Sequence, residues 1–386
     1  MAIRNADTLL IHEGEPRPRI GRAITVPIFQ ASTFEVLEGS SAGYYDLKYA
    51  RLSNTPSHDV LHEKLAALEG AEAALVTGSG MAAISTALLT VLRPGDHALF
   101  SRCLYGGTDD FVTQELADFG VAASHLDVSN PSSWANELRP NTKLIYVEVM
   151  TNPSLEVGAL DEVPRFAKAN GLTSFIDNTF ATPLGYRPIE VGYDVSLHSA
   201  TKYLNGHSDI VAGTIMGSAA FIKRVRRRLA HLGGVLDPHA CFLLHRGLKT
   251  LGVRFRHQCK SAERIAAEMA QWPEVACVLH PSLESHPSHV RAKTQLRAFG
   301  AVLSFRPTGG VDAAKRFLAR VELPLSAPSL GGVESLVTRP VTTSHRGLSA
   351  EARVRAGVTE DLVRVSVGLE DPDDLLQDFR RALSES

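Results

Sequence analysis

Residues 174–203 read SFIDNTFATPLGYRPIEVGYDVSLHSATKY, and this stretch decides the fold. Two short apolar runs, Ser174–Asp177 and Val195–His198, each lead into chemistry. Asp177 closes the first, and Ser199, Thr201 and Lys202 follow the second. Working outward, Ala73–Thr77, His97–Ser101, Ala122–Leu126, Leu144–Val149 and Gly213–Met216 are runs of the same kind. Helical patterns such as Met81–Leu92 and Asp161–Asn170 separate most of them. Strands alternating with helices predict an α/β fold with a mostly parallel seven-stranded sheet, covered on both faces. Ligands of such sheets bind beyond the carboxyl ends of the strands. There this chain offers Ser79-Gly80, Tyr105, Asn152, Asp177 and Lys202.

The pattern changes on either side of that core. A polar, proline-containing arm runs to about Pro56. A helix-like segment, Leu248–Met269, leads to strands near Val275–Leu279, Ala301–Phe305 and Leu362–Val367 and to a terminal helix from Pro372. The expected division is an arm over 1–56, a large cofactor-binding domain over 57–245 and a smaller α+β domain over 246–386.

With 386 residues, 44% hydrophobic and 21% charged, the chain can bury a full core. A net charge of -2 gives no electrostatic case for nucleic acid or an anionic membrane. The basic run Lys223-Arg224-Val225-Arg226-Arg227-Arg228 reads as a solvated helix face or an oligomer contact. Four widely spaced cysteines fit a reducing compartment and form neither a disulfide framework nor a zinc motif. With no signal-peptide or membrane-span pattern, the expected location is the cytoplasm. His280, His286 and His289 lack an accompanying acid or cysteine set and read as loop histidines, so no metal is expected.

Three motifs compete. In TGSGMAAIS, Thr77 to Ser85, the spacing Gly78-x-Gly80-x-x-Ala83 suits backbone N–H groups that meet a phosphate at a helix end. A nicotinamide oxidoreductase also wants an acid about 20 positions on. Ser101-Arg102-Cys103 stands there instead, which leaves that enzyme class as the alternative. Ser199-Ala200-Thr201-Lys202 fits the S-x-x-K of penicillin-recognising serine enzymes. Their companion motifs are incomplete, at Ser208-Asp209-Ile210 and Lys249-Thr250-Leu251. Asp177 can cap the turn that follows it, but a carboxylate ending an apolar strand also calls for a positive partner. A strand-end acid, a lysine beside hydroxyls and a glycine-rich helix entrance together form the parts of a pyridoxal phosphate (PLP) site.

The segments YVEVMTNPSLEV, IDNTFATPLGYRPIEVGYDVSLHSATKYLNGHSDIVAG, RGLKTLGVR, SLGGVESL and EDLVRVSVGLEDPDDLL resemble the trans-sulfuration enzymes of cysteine and methionine metabolism. That group comprises cystathionine γ-synthase, cystathionine γ-lyase, cystathionine β-lyase and methionine γ-lyase. The resemblance covers nearly the whole chain in the same order. It implies the aspartate aminotransferase-like PLP fold (fold type I), with Lys202 as the Schiff-base lysine. Ser199, Thr201 and the backbone of Gly80 and Met81 would hold the phosphate, Asp177 the pyridinium nitrogen, and Tyr105 would stack on the ring. Asn152 would lie near the ring oxygen and the substrate carboxylate, which Ser329 and Arg364 would bind, the guanidinium through two parallel hydrogen bonds. In KYARLSNTP, Tyr49 and Arg51 match the pair that reaches the phosphate of a neighbouring subunit, so a homo-oligomer is expected, a tetramer built from dimers that share sites.

The activity implied is carbon–sulfur cleavage of cystathionine or a related thioether by β- or γ-elimination, with γ-replacement on an activated homoserine as the alternative. The substrate is thus a small sulfur amino acid. Three positions depart from subfamily patterns. Pro328 stands where γ-synthases and γ-lyases usually carry glutamate. LYGGT lacks the cysteine common in methionine γ-lyases, and Leu330 replaces the aromatic of bacterial β-lyases.

Overall fold

The structure, a computed structural model, describes residues 5–36, 43–343, 346, 353 and 357–384. The larger sheet contains β1 (Ala73–Thr77), β2 (His97–Ser101), β3 (Ala122–Leu126), β4 (Thr142–Glu148), β5 (Thr173–Asp177), β6 (Val195–Ser199) and β7 (Gly213–Gly217). Their order is β1-β7-β6-β5-β4-β2-β3, and β7 alone runs against the rest. Lys202 therefore sits in the loop that reverses the chain from β6 into β7.

Side chains alternate between the two faces of each strand, which divides the core in two. Leu75, Phe175, Leu197 and Ile215 pack with Ile84 and Leu88 of the Gly80–Val91 helix and Val225 and Leu229 of the Ala219–Leu232 helix. On the other face Val76, Ile176 and Met216 pack with Leu61, Leu65 and Leu68 of the Pro56–Glu69 helix. Within the basic run, Val225 is buried, Arg224 donates to Thr90 O (3.0 Å) and Arg226 to Tyr45 O (2.9 Å). Part of that helix face is thus bonded within its own chain.

The second sheet contains β8 (Val275–Leu279), β9 (Val302–Pro307), β10 (Leu325–Ser326), β11 (Leu336–Thr338) and β12 (Val363–Ser366), in the order β10-β11-β12-β9-β8. The Gly310–Arg320 and Pro372–Leu383 helices meet it through edge-to-face rings, Phe305 on Phe317 at 5.1 Å and Phe317 on Phe379 at 5.6 Å. The helix expected over Leu248–Met269 begins three residues later, as Leu251–Met269, and a separate helix, Pro238–Leu248, precedes it. Asp237 caps the preceding helix by accepting from His239 N–H at 2.8 Å. At the break, the Arg254 guanidinium donates to Gly247 O (2.8 Å) and to Thr250 Oγ (3.0 Å), so the interrupted turn keeps hydrogen-bond partners. Among the described residues no helix is long and apolar enough to cross a membrane.

Candidate active site

A cavity of about 670 Å³ opens at the carboxyl ends of the parallel strands and is closed on its other side by the second sheet. Lys202 Nζ donates to Ser329 Oγ at 2.6 Å. Ser329 lies between β10 and β11 with φ 86, a left-handed conformation that costs a side-chain-bearing residue energy and persists where neighbours hold it. Arg364, on β12, holds it: Nη2 donates to Ser329 O at 2.6 Å, and Nη1 donates to Asn152 Oδ1 at 3.2 Å. Arg364 is buried, and its Nε has no hydrogen-bond partner among the described residues. Burial lowers the Arg364 guanidinium to about 10. Burial and the Arg364 charge lower Lys202 to about 8, which brings a free amine within reach of neutral pH.

The opposite end is acidic. Glu148 and Asp177 end adjacent strands as direct ladder partners, and both line the cavity. Asp177 Oδ1 accepts the Thr179 backbone N–H at 2.9 Å and the Thr179 hydroxyl, while Ser199 N–H donates to that same hydroxyl oxygen at 2.8 Å. Asp177 therefore does cap the turn after β5, and it faces the cavity as well. Burial raises the Asp177 carboxyl against the lowering effect of the Thr179 hydrogen bonds.

Between these ends lies the start of the Gly80–Val91 helix. Ser79 caps it by accepting Ala82 N–H at 2.9 Å. The first amides of a helix have no intrahelical acceptor, which leaves those of Gly80 and Met81 along the cavity wall. A Cβ on Gly80 would fall 2.9 Å from the Ser199 Cβ, so glycine is what lets this anion-attracting end approach β6. Tyr105 is half-exposed on the same wall, and a Cβ on Gly107 would fall 2.8 Å from its Cε1. An amine, a carboxylate and a helix N-terminus around one cavity, with a buried guanidinium nitrogen still unpaired, fit the donor set that PLP and an amino-acid carboxylate require.

Of the residues singled out from sequence, those on the strand ends and on the second sheet meet at this cavity. Gly80, Met81, Tyr105, Asn152, Asp177, Ser199, Thr201, Lys202, Ser329 and Arg364 all line it. Thr201 is engaged with the backbone, donating to Ala212 O (3.2 Å) and accepting Ala212 N–H (3.0 Å). Tyr49 and Arg51 are not among the lining residues. Arg51 donates to Ala230 O (2.9 Å) and Tyr44 Oη (2.6 Å), with its guanidinium 5.4 Å from the centre of the Tyr49 ring. Sequence reasoning placed Ser79 at a strand end without giving it a role, and it missed Glu148 and Thr179. Ser79 had the signal of a preferred cap residue before a helix, and Glu148 that of a carboxylate on the same strand face as buried Tyr146.

The model of the Cys/Met metabolism PLP-dependent enzyme family matches residues 7–384. The chain is 39% identical to an L-methionine gamma-lyase of Pseudomonas putida, over 98% of this chain and 97% of that one. It is 41% identical to the cystathionine beta-lyase MetC of Bacillus subtilis, over 98% and 96%. Among solved structures it is similar to a cystathionine gamma synthase of Xanthomonas oryzae pv. oryzae in complex with aminoacrylate and cysteine, with TM-score 0.94, 36% identity and 98% of each chain covered. The chain belongs to the PLP-dependent enzymes of cysteine and methionine metabolism.

Proposed function

We propose that this enzyme is a carbon–sulfur lyase that cleaves cystathionine or a related small thioether amino acid by β- or γ-elimination. The observation that carries the reading is the Lys202 amine, lowered to about 8 and 2.6 Å from Ser329 Oγ, in a cavity with Arg364 at one end and Asp177 at the other. When bound, PLP supplies an electron sink for the carbanion beside the substrate amino group. Asp177 would hold the proton of the ring nitrogen. The amides of Gly80 and Met81, with Ser199 and Thr201, would hold the phosphate, and Tyr105 would cover the ring. Arg364, Asn152 and Ser329 hold the substrate carboxylate, which fixes the Cα–H toward Lys202 Nζ. That free amine takes the α-proton and, for γ-elimination, relays a second proton from the β-carbon.

Tyr49 and Arg51, outside their own cavity, serve the site of a neighbouring subunit, so the working unit is at least a dimer. Four cysteines, none in a disulfide, suit the reducing cytoplasm. Synthase-type γ-replacement is the second reading, favoured by the likeness to the Xanthomonas gamma synthase.

Mass spectrometry of the products from L-cystathionine and PLP tests the proposal. Pyruvate with homocysteine identifies β-elimination and makes Pro328 a marker of it. 2-Oxobutyrate with cysteine identifies γ-elimination without the usual glutamate. If no keto acid forms and an activated homoserine condenses with cysteine, the lyase reading fails in favour of replacement.

A further inference from the structure

Two carboxyl groups line the cavity, and the reading above uses only Asp177. Glu148 ends β4 as Asp177 ends β5, and they are direct partners in a parallel ladder whose strands lie about 4.8 Å apart. Ladder partners project to the same face, so two acids share one poorly solvated corner. Ionising one disfavours ionising the other. The donors decide between them: Asp177 takes two hydrogen bonds from Thr179, whereas Glu148 takes one, the Tyr105 backbone N–H at 2.6 Å.

The other groups around Glu148 do not favour a second negative charge. Tyr146 and Asp109 stand near it, the latter 3.4 Å from His125, while Lys202 is turned to Ser329. On the far side Glu148 also lines a small cleft with Glu156, Cys103 and Arg102, and the Arg102 guanidinium is paired with Asp127 at 3.3 Å. Burial first, and Asp177 second, raise the Glu148 carboxyl well above the carboxylate range.

We propose that Glu148 is a positioning residue: the proton-holding partner of Asp177, it fixes the Tyr105 amide from behind and so sets where the Tyr105 ring faces the cavity. Tyr105 is 46% exposed, so its backbone is the anchor available. This inference rests on the reading that Tyr105 and Asp177 face the cofactor.

Glu148→Gln keeps an uncharged acceptor of the same shape, and Glu148→Ala removes it. In the cofactor-free protein, hydrogen exchange at the Tyr105 amide should quicken about tenfold in E148A and stay within twofold of the parent in E148Q. The PLP dissociation constant should follow the same order, about tenfold weaker in E148A and unchanged in E148Q. An E148Q variant as impaired as E148A would overturn the proposal, because a charge would then be required. Unchanged Tyr105 exchange in both would overturn it too. If E148A does not fold, infrared difference spectroscopy decides: a carboxylic acid C=O band present at neutral pH and lost in E148Q is expected, and its absence from the parent contradicts the proposal. Faster exchange in E148A with unaltered PLP affinity would instead count against the role of Tyr105 at the cofactor and leave the Glu148 contact standing.

Discussion

Two acids flank the same pair of strands, and their surroundings give them different work. On the closed face, Glu69 accepts from the Ser196 hydroxyl and from Asn178 Nδ2 (3.3 Å) and lies 3.2 Å from His198 Nε2. All four residues are at most 1% exposed. On the other face, Asp177 has its hydrogen bonds from Thr179 and opens on the cavity. The alternation of β6 makes the division: Ser196 and His198 point one way, Leu197 and Ser199 the other. Burial alone therefore does not mark a functional acid. Glu69 is enclosed by its partners and braces helix against sheet, whereas Asp177 turns toward space that a substrate or cofactor can reach.

The comparison breaks if the two acids respond alike to substitution. Asp177→Asn should lower kcat about 1,000-fold, in the range seen when a preorganised electrostatic partner is removed, with the thermal midpoint nearly unchanged. Glu69→Ala should leave the activity of the folded fraction close to the parent while costing about 3 kcal/mol in denaturant unfolding, because buried Ser196, Asn178 and His198 lose their shared acceptor. Loss of stability in D177N together with loss of turnover alone in E69A would reverse the assignment.

A smaller effect sharpens the picture at the basic end of the cavity. Arg364→Ala should reduce kcat/KM about 100-fold through the substrate carboxylate. It should also move a pH profile. The Arg364 charge disfavours protonation of Lys202, so its removal raises the lysine from about 8 toward its ordinary value. The amine is free above that point and protonated below it. The rate of PLP uptake by the cofactor-free protein should therefore rise through about pH 8 in the parent and at higher pH in R364A. Coincident profiles would exclude the coupling. The smallest effect belongs to the arm: Arg51→Ala should lose about tenfold in activity. When R51A is mixed and re-equilibrated with K202A, about a quarter of the sites should work fully, because in a two-fold dimer one mixed subunit pair carries one intact site. No recovery on mixing would mean that each chain completes its own cavity.

Much of this was legible in sequence because local and long-range signals agreed. The runs Ala73–Thr77, His97–Ser101, Ala122–Leu126 and Val275–Leu279 are strands at those bounds, being short, apolar and framed by glycine, proline or charged residues. Asp177 and Lys202 stood out because a strand end is a poor place for an idle charge. Other features had no comparable signal. β10 and β11 span two and three residues, too few for alternation to be seen, yet they frame the loop that carries Ser329. The helix break at Thr250 is bridged by the Arg254 guanidinium, which also donates to Tyr203 O (2.9 Å), a tertiary contact invisible in the local pattern. Glu148 resembled an ordinary polar position in YVEV until the ladder set it beside Asp177. Tyr49 and Arg51 could be assigned only by resemblance, since one chain does not bring them to its own cavity.

The account rests on one nitrogen, Lys202 Nζ, and Lys202→Ala tests it most directly. Purified K202A supplied with PLP should unfold at the parent's midpoint, show no lysine-linked cofactor absorbance, and form neither pyruvate nor 2-oxobutyrate from L-cystathionine. A folded K202A that still turns over its substrate at the parent's rate would contradict the account.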